Sequence, residues 1–113
     1  MTVKESLPAA EALELAALIS HTEEGISSRV IARTGGGNVT LFALDAGQEL
    51  SEHATPYDAL VMVLEGSLKL NVGGTPVQAE TGTVVRIPAN VPHAVESLER
   101  SKMLLVMLRE SAR

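Results

Sequence analysis

Three histidines, at positions 21, 53 and 93, are the residues of this 113-residue chain best placed to do chemistry near neutral pH. An imidazole can carry a proton or lend a nitrogen lone pair to a metal. His53 and His93 each lie in a short stretch framed by glycine, residues 47–66 (GQELSEHATPYDALVMVLEG) and residues 82–93 (GTVVRIPANVPH). His21 stands apart, beside Glu23 and Glu24, and reads as a surface residue. A catalytic zinc commonly takes three protein ligands, and a non-haem iron takes two histidines and a carboxylate. His53 and His93 supply two. Cysteine is absent, which excludes disulfides, thiolate metal sites and cysteine nucleophiles. No nucleophilic triad stands out, so the remaining chemistry is proton transfer or hydrogen bonding by a histidine. Tyr57 has an amphipathic ring that suits either a cavity mouth or packing in a loop.

These side chains need a scaffold, and the pattern around them is strand-like. From residue 26 onward, short apolar stretches alternate with glycine. Residues 28–33 and 38–44 read as strands joined by Gly35, Gly36 and Gly37. That glycine run lacks the following helix a phosphate cradle needs, so it reads as a hairpin loop. Residues 68–72 and 75–79 flank Gly73-Gly74, a two-residue spacing that signals a tight hairpin. Residues 59–64, 84–87, 95 onward and 103–108 complete at least seven short strands. Such a run describes a sandwich or barrel rather than an α/β sheet. Residues 7–19 (LPAAEALELAALI) are rich in helix formers, with Ser6 as a cap and Pro8 in the first turn, which predicts a helix. Leu15, Leu18 and Ile19 would share its docking face. Residues 109–113 read as a polar tail that frays.

Composition narrows the function classes. One core suffices at this length. Only Phe42 and Tyr57 are aromatic, so the core must be aliphatic. A net charge of −5 offers no basic stripe for nucleic acid. No stretch approaches the roughly 20 apolar residues that span a bilayer. The first residues, MTVKES, are polar and lack an apolar signal core, so a cytoplasmic protein is expected.

Together the two glycine-framed stretches resemble the paired motifs of the cupin superfamily, small β-barrels that hold a metal or small molecule inside. The resemblance spans residues 47–97 and is closest to small single-domain bacterial cupins of the conserved-barrel type, with a core such as EHATPYDALV…VLEG…PANVPHAVE. In the family pattern the first motif supplies two histidines and a glutamate, and the second supplies a third histidine. His53 and His93 stand at family positions, whereas Thr55 replaces the second histidine and Ala59 the glutamate. Asn90 replaces a usual glycine, a mild change because Asn tolerates a left-handed backbone. Ser97 takes the last position, commonly Asn.

The resemblance implies an all-β, cupin-type double-stranded β-helix, or jelly-roll barrel, with a short N-terminal helix. Residues 1–25 would form a helical arm and residues 26–113 the barrel. It places His53, Thr55, Tyr57, Val61, His93 and Val95 on a ligand pocket. The metal candidates it offers are His53 and His93, with Asp58, one residue from the lost glutamate, as a third. The ion would be a divalent metal such as Zn, Fe, Mn or Ni. If the strand begins at Asp58, alternation turns that carboxylate out of the cavity. If Asp58 still lies in the turn after Pro56, its direction stays open, and so does that of Arg86. Two functions follow from this pattern. One is the binding of a small polar or anionic molecule between the histidines. The other is a metal-dependent enzyme of the dioxygenase or isomerase class using His53, His93 and Asp58. A dimer with a vestigial pocket is a third reading.

Residues 59–64 and 103–108 are apolar on both faces. A barrel interior buries only one face, so the N-terminal arm or a second subunit must cover the other. A homodimer is expected, because two-fold pairs are the commonest assemblies.

Overall fold

Period-two alternation organises nine strands in the computed structural model, which describes residues 7–109. They are β1 (Ile26–Thr34), β2 (Gly37–Leu44), β3 (Glu49–His53), β4 (Asp58–Glu65), β5 (Ser67–Val72), β6 (Thr75–Glu80), β7 (Val84–Ile87), β8 (His93–Ser97) and β9 (Ser101–Leu108). A five-stranded sheet has the order β1-β2-β9-β4-β7, and a four-stranded sheet the order β3-β8-β5-β6. All pairings are antiparallel. The chain is therefore an all-β, double-sheet jelly roll.

The alternation is cleanest in β4. Ala59, Val61 and Val63 are buried, while Asp58, Leu60, Met62 and Leu64 turn away from the interior. The core between the sheets is aliphatic, as the shortage of aromatics demands, and joins these residues to Leu44, Leu68, Leu70, Ile87, Val95 and Met103.

Glycine closes the frame at two kinds of place. Gly73 and Gly74 have φ of +57° and +88°, the double positive φ of a type I′ hairpin turn. Gly37 has φ of +147°, and a Cβ there would fall 1.9 Å from the carbonyl oxygen of Met107. Only a residue without a side chain lets β2 approach β9 that closely. Asn90, at φ +67°, adopts the left-handed backbone expected of it.

The N-terminal segment differs from expectation. The predicted helix over residues 7–19 is reduced to one 3₁₀ turn at Leu15–Leu18, with Ala10 at φ +60° upstream. Ser6 lies outside the described residues. Tertiary contacts override helix propensity here. The carbonyls of Ala16, Leu18 and Ser20 accept hydrogen bonds from Lys102 Nζ (2.6 Å), Arg29 Nη1 (3.1 Å) and Ser27 Oγ (2.6 Å). These bonds tie the end of the segment to β1 and β9. The docking stripe survives the change, because Leu15, Leu18 and Ile19 pack on Ile31, Leu41, Ala43 and Leu104 of the five-stranded sheet's outer face. His21 is drawn down with the arm rather than left on the surface. Its Nδ1 is buried without a hydrogen-bond partner. Burial lowers the His21 pKa, and the nearby Arg100 and Lys102 charges lower it further.

The tail also departs from the expected fraying at its first residue. Arg109 N–H donates to the carbonyl of Gly36 at 2.7 Å, which fixes it beside the β1–β2 hairpin. Among the described residues, no helix is long and apolar enough to cross a membrane.

Candidate functional site

β3 and β8 bring the two motif histidines together. Glu49 pairs with Glu96 and Leu50 with Val95, and then the register slips by one so that His53 faces His93. Without that slip Glu52 would oppose His93. Residues directly opposite in a ladder share a face, so the bulge is what re-aims His53 onto the side where Leu50 and Val95 meet the core. The ring centroids lie 4.4 Å apart at an interplanar angle of 58°.

The two rings are held in the same way. His53 Nδ1 lies 2.8 Å from the Ser51 carbonyl, and His93 Nδ1 lies 2.9 Å from the Val91 carbonyl. A carbonyl only accepts, so Nδ1 carries the proton in each neutral ring and Nε2 keeps its lone pair. This is the orientation that backbone carbonyls impose on metal-binding or proton-carrying histidines. The rings differ in setting. His93 is 7% exposed, in a strand paired on both sides, whereas His53 is exposed on the edge strand. The pair thus spans the boundary between core and solvent.

Val61 and Val95 are buried in the inter-sheet core beside Ala59. Thr55 lies in the β3–β4 loop, its hydroxyl 3.4 Å from both the N and O of Tyr57, and its carbonyl accepts from Asn90 N–H at 2.6 Å. That bond ties the loops of the two motifs together. Tyr57 sits at the rim, where Arg109 Nη2 donates to its hydroxyl at 2.7 Å. The Arg109 guanidinium carbon is 5.3 Å from the ring centroid.

Asp58 opens β4, and alternation turns it outward. There its carboxylate accepts from Arg86 Nε at 3.1 Å and from the backbone N–H of Ala89 at 3.1 Å. Arg86 is therefore on the outer side as well. Among the described residues, no three His, Cys, Asp or Glu side chains gather closely enough to share an ion. The donor set that the cupin pattern implies is reduced to two imidazoles, which does not fit a tightly held catalytic metal.

Sequence reasoning missed two features: the bulge in β3 and the role of Arg109. A signal for the bulge existed, because Leu50 and His53 cannot both face inward in a strictly alternating strand. Arg109 lies 52 residues from Tyr57 and left no local signal.

Comparison with known proteins agrees with the fold. Residues 40–108 match the family model described as the Cupin domain. A solved structure of a conserved protein of unknown function from Streptococcus pyogenes superposes with a TM-score of 0.89 at 28% identity, covering 99% of this chain and 98% of that one. A cupin superfamily protein from Desulfitobacterium hafniense gives 0.87 at 27% identity, covering 97% of this chain and all of its own (100%). An uncharacterised protein of Streptomyces coelicolor is 33% identical over 70 residues, which is 62% of this chain and 67% of that protein. With its motif histidines paired across a jelly roll and the family model matched over most of the barrel, this chain belongs to the cupin family.

Proposed function

We propose that this cupin binds a small polar or anionic molecule at the His53–His93 pair, with no resident metal required. The observation that carries the reading is the shared anchoring of the two rings: both Nδ1 groups are committed to carbonyls, and both Nε2 atoms are left for a ligand. A neutral imidazole offers Nε2 as an acceptor to a ligand hydroxyl or amide, and a protonated one offers a donor to an anion. Ala59, Val61 and Val95, buried in the adjoining inter-sheet core, would supply the apolar wall that binding pockets usually present.

The test is calorimetry or thermal-shift screening of the tag-free protein against small polyols, sugars and carboxylic acids. His53→Ala and His93→Ala should each abolish the binding found. Metal analysis of the same preparation should give well under one ion per chain. Ala59→Glu, which restores a carboxylate beside the pair, should raise metal retention. A full equivalent of metal in the unmodified protein would overturn the reading.

We also propose a homodimer. The arm covers the outer face of the five-stranded sheet over Leu41, Ala43 and Leu104. On the far side of that face β7 carries Val84, 58% exposed, next to Met62 of β4. An apolar edge of this kind fits a second copy. Light scattering should report twice the mass of one chain at micromolar concentration, and a monomer would refute it.

A further inference from the structure

A cavity of about 270 Å³ opens at the barrel rim, lined by Arg33, Thr34, Gly37, Asn38, Tyr57 and Arg109. No histidine lines it, and of the candidate residues discussed above it takes only Tyr57. Its register is informative. Arg33 pairs with Asn38, Asn38 with Met107, and Met107 with Ala59, so the four stand in one row across the sheet. Met107 and Ala59 belong to the inter-sheet core, which places Arg33 and Asn38 on the barrel side of their strands.

The charges in the cavity are of one sign. Arg33 and Arg109 both line it, and no carboxylate does. Asp58, which lines a neighbouring cavity with Arg109, is ion-paired with Arg86 at 3.1 Å. Among the described residues, neither Arg33 nor Arg109 has a carboxylate within ion-pair distance. This is unexpected in a chain of net charge −5. Arg109 is also held in place. Its N–H is bonded to Gly36 and its Nη2 to the Tyr57 hydroxyl, with the ring beside the guanidinium. Asn38 adds an amide, whose oxygen accepts from Thr40 Oγ1 at 3.2 Å and whose Nδ2 is left to donate.

We propose that this rim cavity is an oxyanion site, binding a carboxylate or phosphate group through Arg33 and Arg109 with Asn38 as a further donor. Guanidinium pairs match such oxygens bidentately, and a fixed fork loses little freedom when the anion arrives. At this volume, the site takes a small anion or the acidic end of a larger molecule.

Calorimetric titration of the full chain with inorganic phosphate and with succinate, at constant ionic strength, tests this. Saturable one-to-one binding of at least one anion is expected, and the tighter of the two identifies the source. Arg33→Ala and Arg109→Ala should each weaken that binding about tenfold or more. Tyr57→Phe, which frees Arg109 from the hydroxyl, should weaken it several-fold. Lys69→Ala removes one positive charge from an exposed position elsewhere and should leave it unchanged. Both arginines are exposed, so their variants should fold, and circular dichroism confirms it. The absence of saturable binding would overturn the proposal. So would equal weakening by Lys69→Ala, or binding that survives both arginine variants and disappears in His53→Ala.

Discussion

β4 and β3 run through the same jelly roll and contribute to the same end of the barrel, yet they are built on opposite terms. β4 lies between β9 and β7 and alternates through its centre, burying Ala59, Val61 and Val63, with its one register shift against β9 confined to its end at Val63–Glu65. β3 is an edge strand, mostly exposed, and its ladder to β8 carries a bulge. The regular strand holds the structure together and bears no reactive group on its inner face. The irregular one presents His53. A bulge on an edge costs few core contacts and re-aims a side chain, which is why such irregularities gather at binding sites. Stability and chemistry are thus divided between strands.

The largest expected effect tests the structural half of that division. Leu70, on β5, is fully buried beside Val95, whereas Leu50 on β3 is half-buried at the margin of the same core. Leu70→Ala should cost about 2–5 kcal/mol in urea unfolding. Leu50→Ala should cost about 1 kcal/mol. Equal losses would mean that β3 is as integral to the core as the central strands.

The histidines extend the comparison to the site itself. Both are proposed to be needed for ligand, but they sit in different surroundings. Replacing buried His93 by Ala leaves the Val91 carbonyl without its donor and opens space beside Val72, its cross-strand neighbour. A loss of about 1–3 kcal/mol is expected. His53→Ala, at an exposed edge position, should stay within about 0.5 kcal/mol of the parent. Denaturation midpoints that fail to separate the two variants would contradict the assignment of one ring to core and the other to solvent.

How much of this was legible in the sequence follows the same division. Where alternation is strict, as in β4, or where two glycines demand positive φ, as at Gly73-Gly74, strands and turns could be read directly. Asp58 could be placed only conditionally, since its direction depended on whether the strand began there. The bulge was only half legible: the three-residue spacing of Leu50 and His53 hints at an irregularity, but register is set by pairing between residues about 40 apart in sequence, and no local pattern marks which residue is the extra one. The arm misled for a related reason. Its Ala and Leu content favours helix, but Leu15, Leu18 and Ile19 dock on a sheet face built from strands later in the chain. Deleting Glu52 tests the bulge directly. It removes the extra residue, so Leu50 and the former His53 become two apart, share a face in a regular ladder and keep the imidazole opposite His93. The fold should persist with a midpoint close to the parent's, and ligand binding should survive. Loss of binding in a folded variant would show that register alone does not aim His53.

The smallest expected effect concerns His21, where the arm meets the barrel. Its Nδ1 is buried without a partner, and burial first, then Arg100 and Lys102, hold its pKa below the ordinary value of 6.5, while Glu65 and Asp45 pull weakly the other way. The unfolded chain therefore takes up a proton near pH 6.5 that the folded chain still refuses. Stability should fall as pH drops below 6.5, and the decline should level off once the folded-state pKa is passed. Asp45 works in a separate, more acidic window. The N–H groups of Glu24 and Ala46, followed by Arg100, hold its carboxyl below the usual 3.8, so its contribution is present above that pH and is lost as pH falls through the folded value. His21→Gln keeps a polar side chain of similar reach and removes the titration. Urea midpoints measured from pH 8 to pH 5 should decline less steeply in the variant than in the parent, with both converging at the alkaline end. Parallel curves would mean that the arm yields to water around His21 rather than excluding it, and that its attachment rests on the Arg29, Lys102 and Ser27 contacts alone.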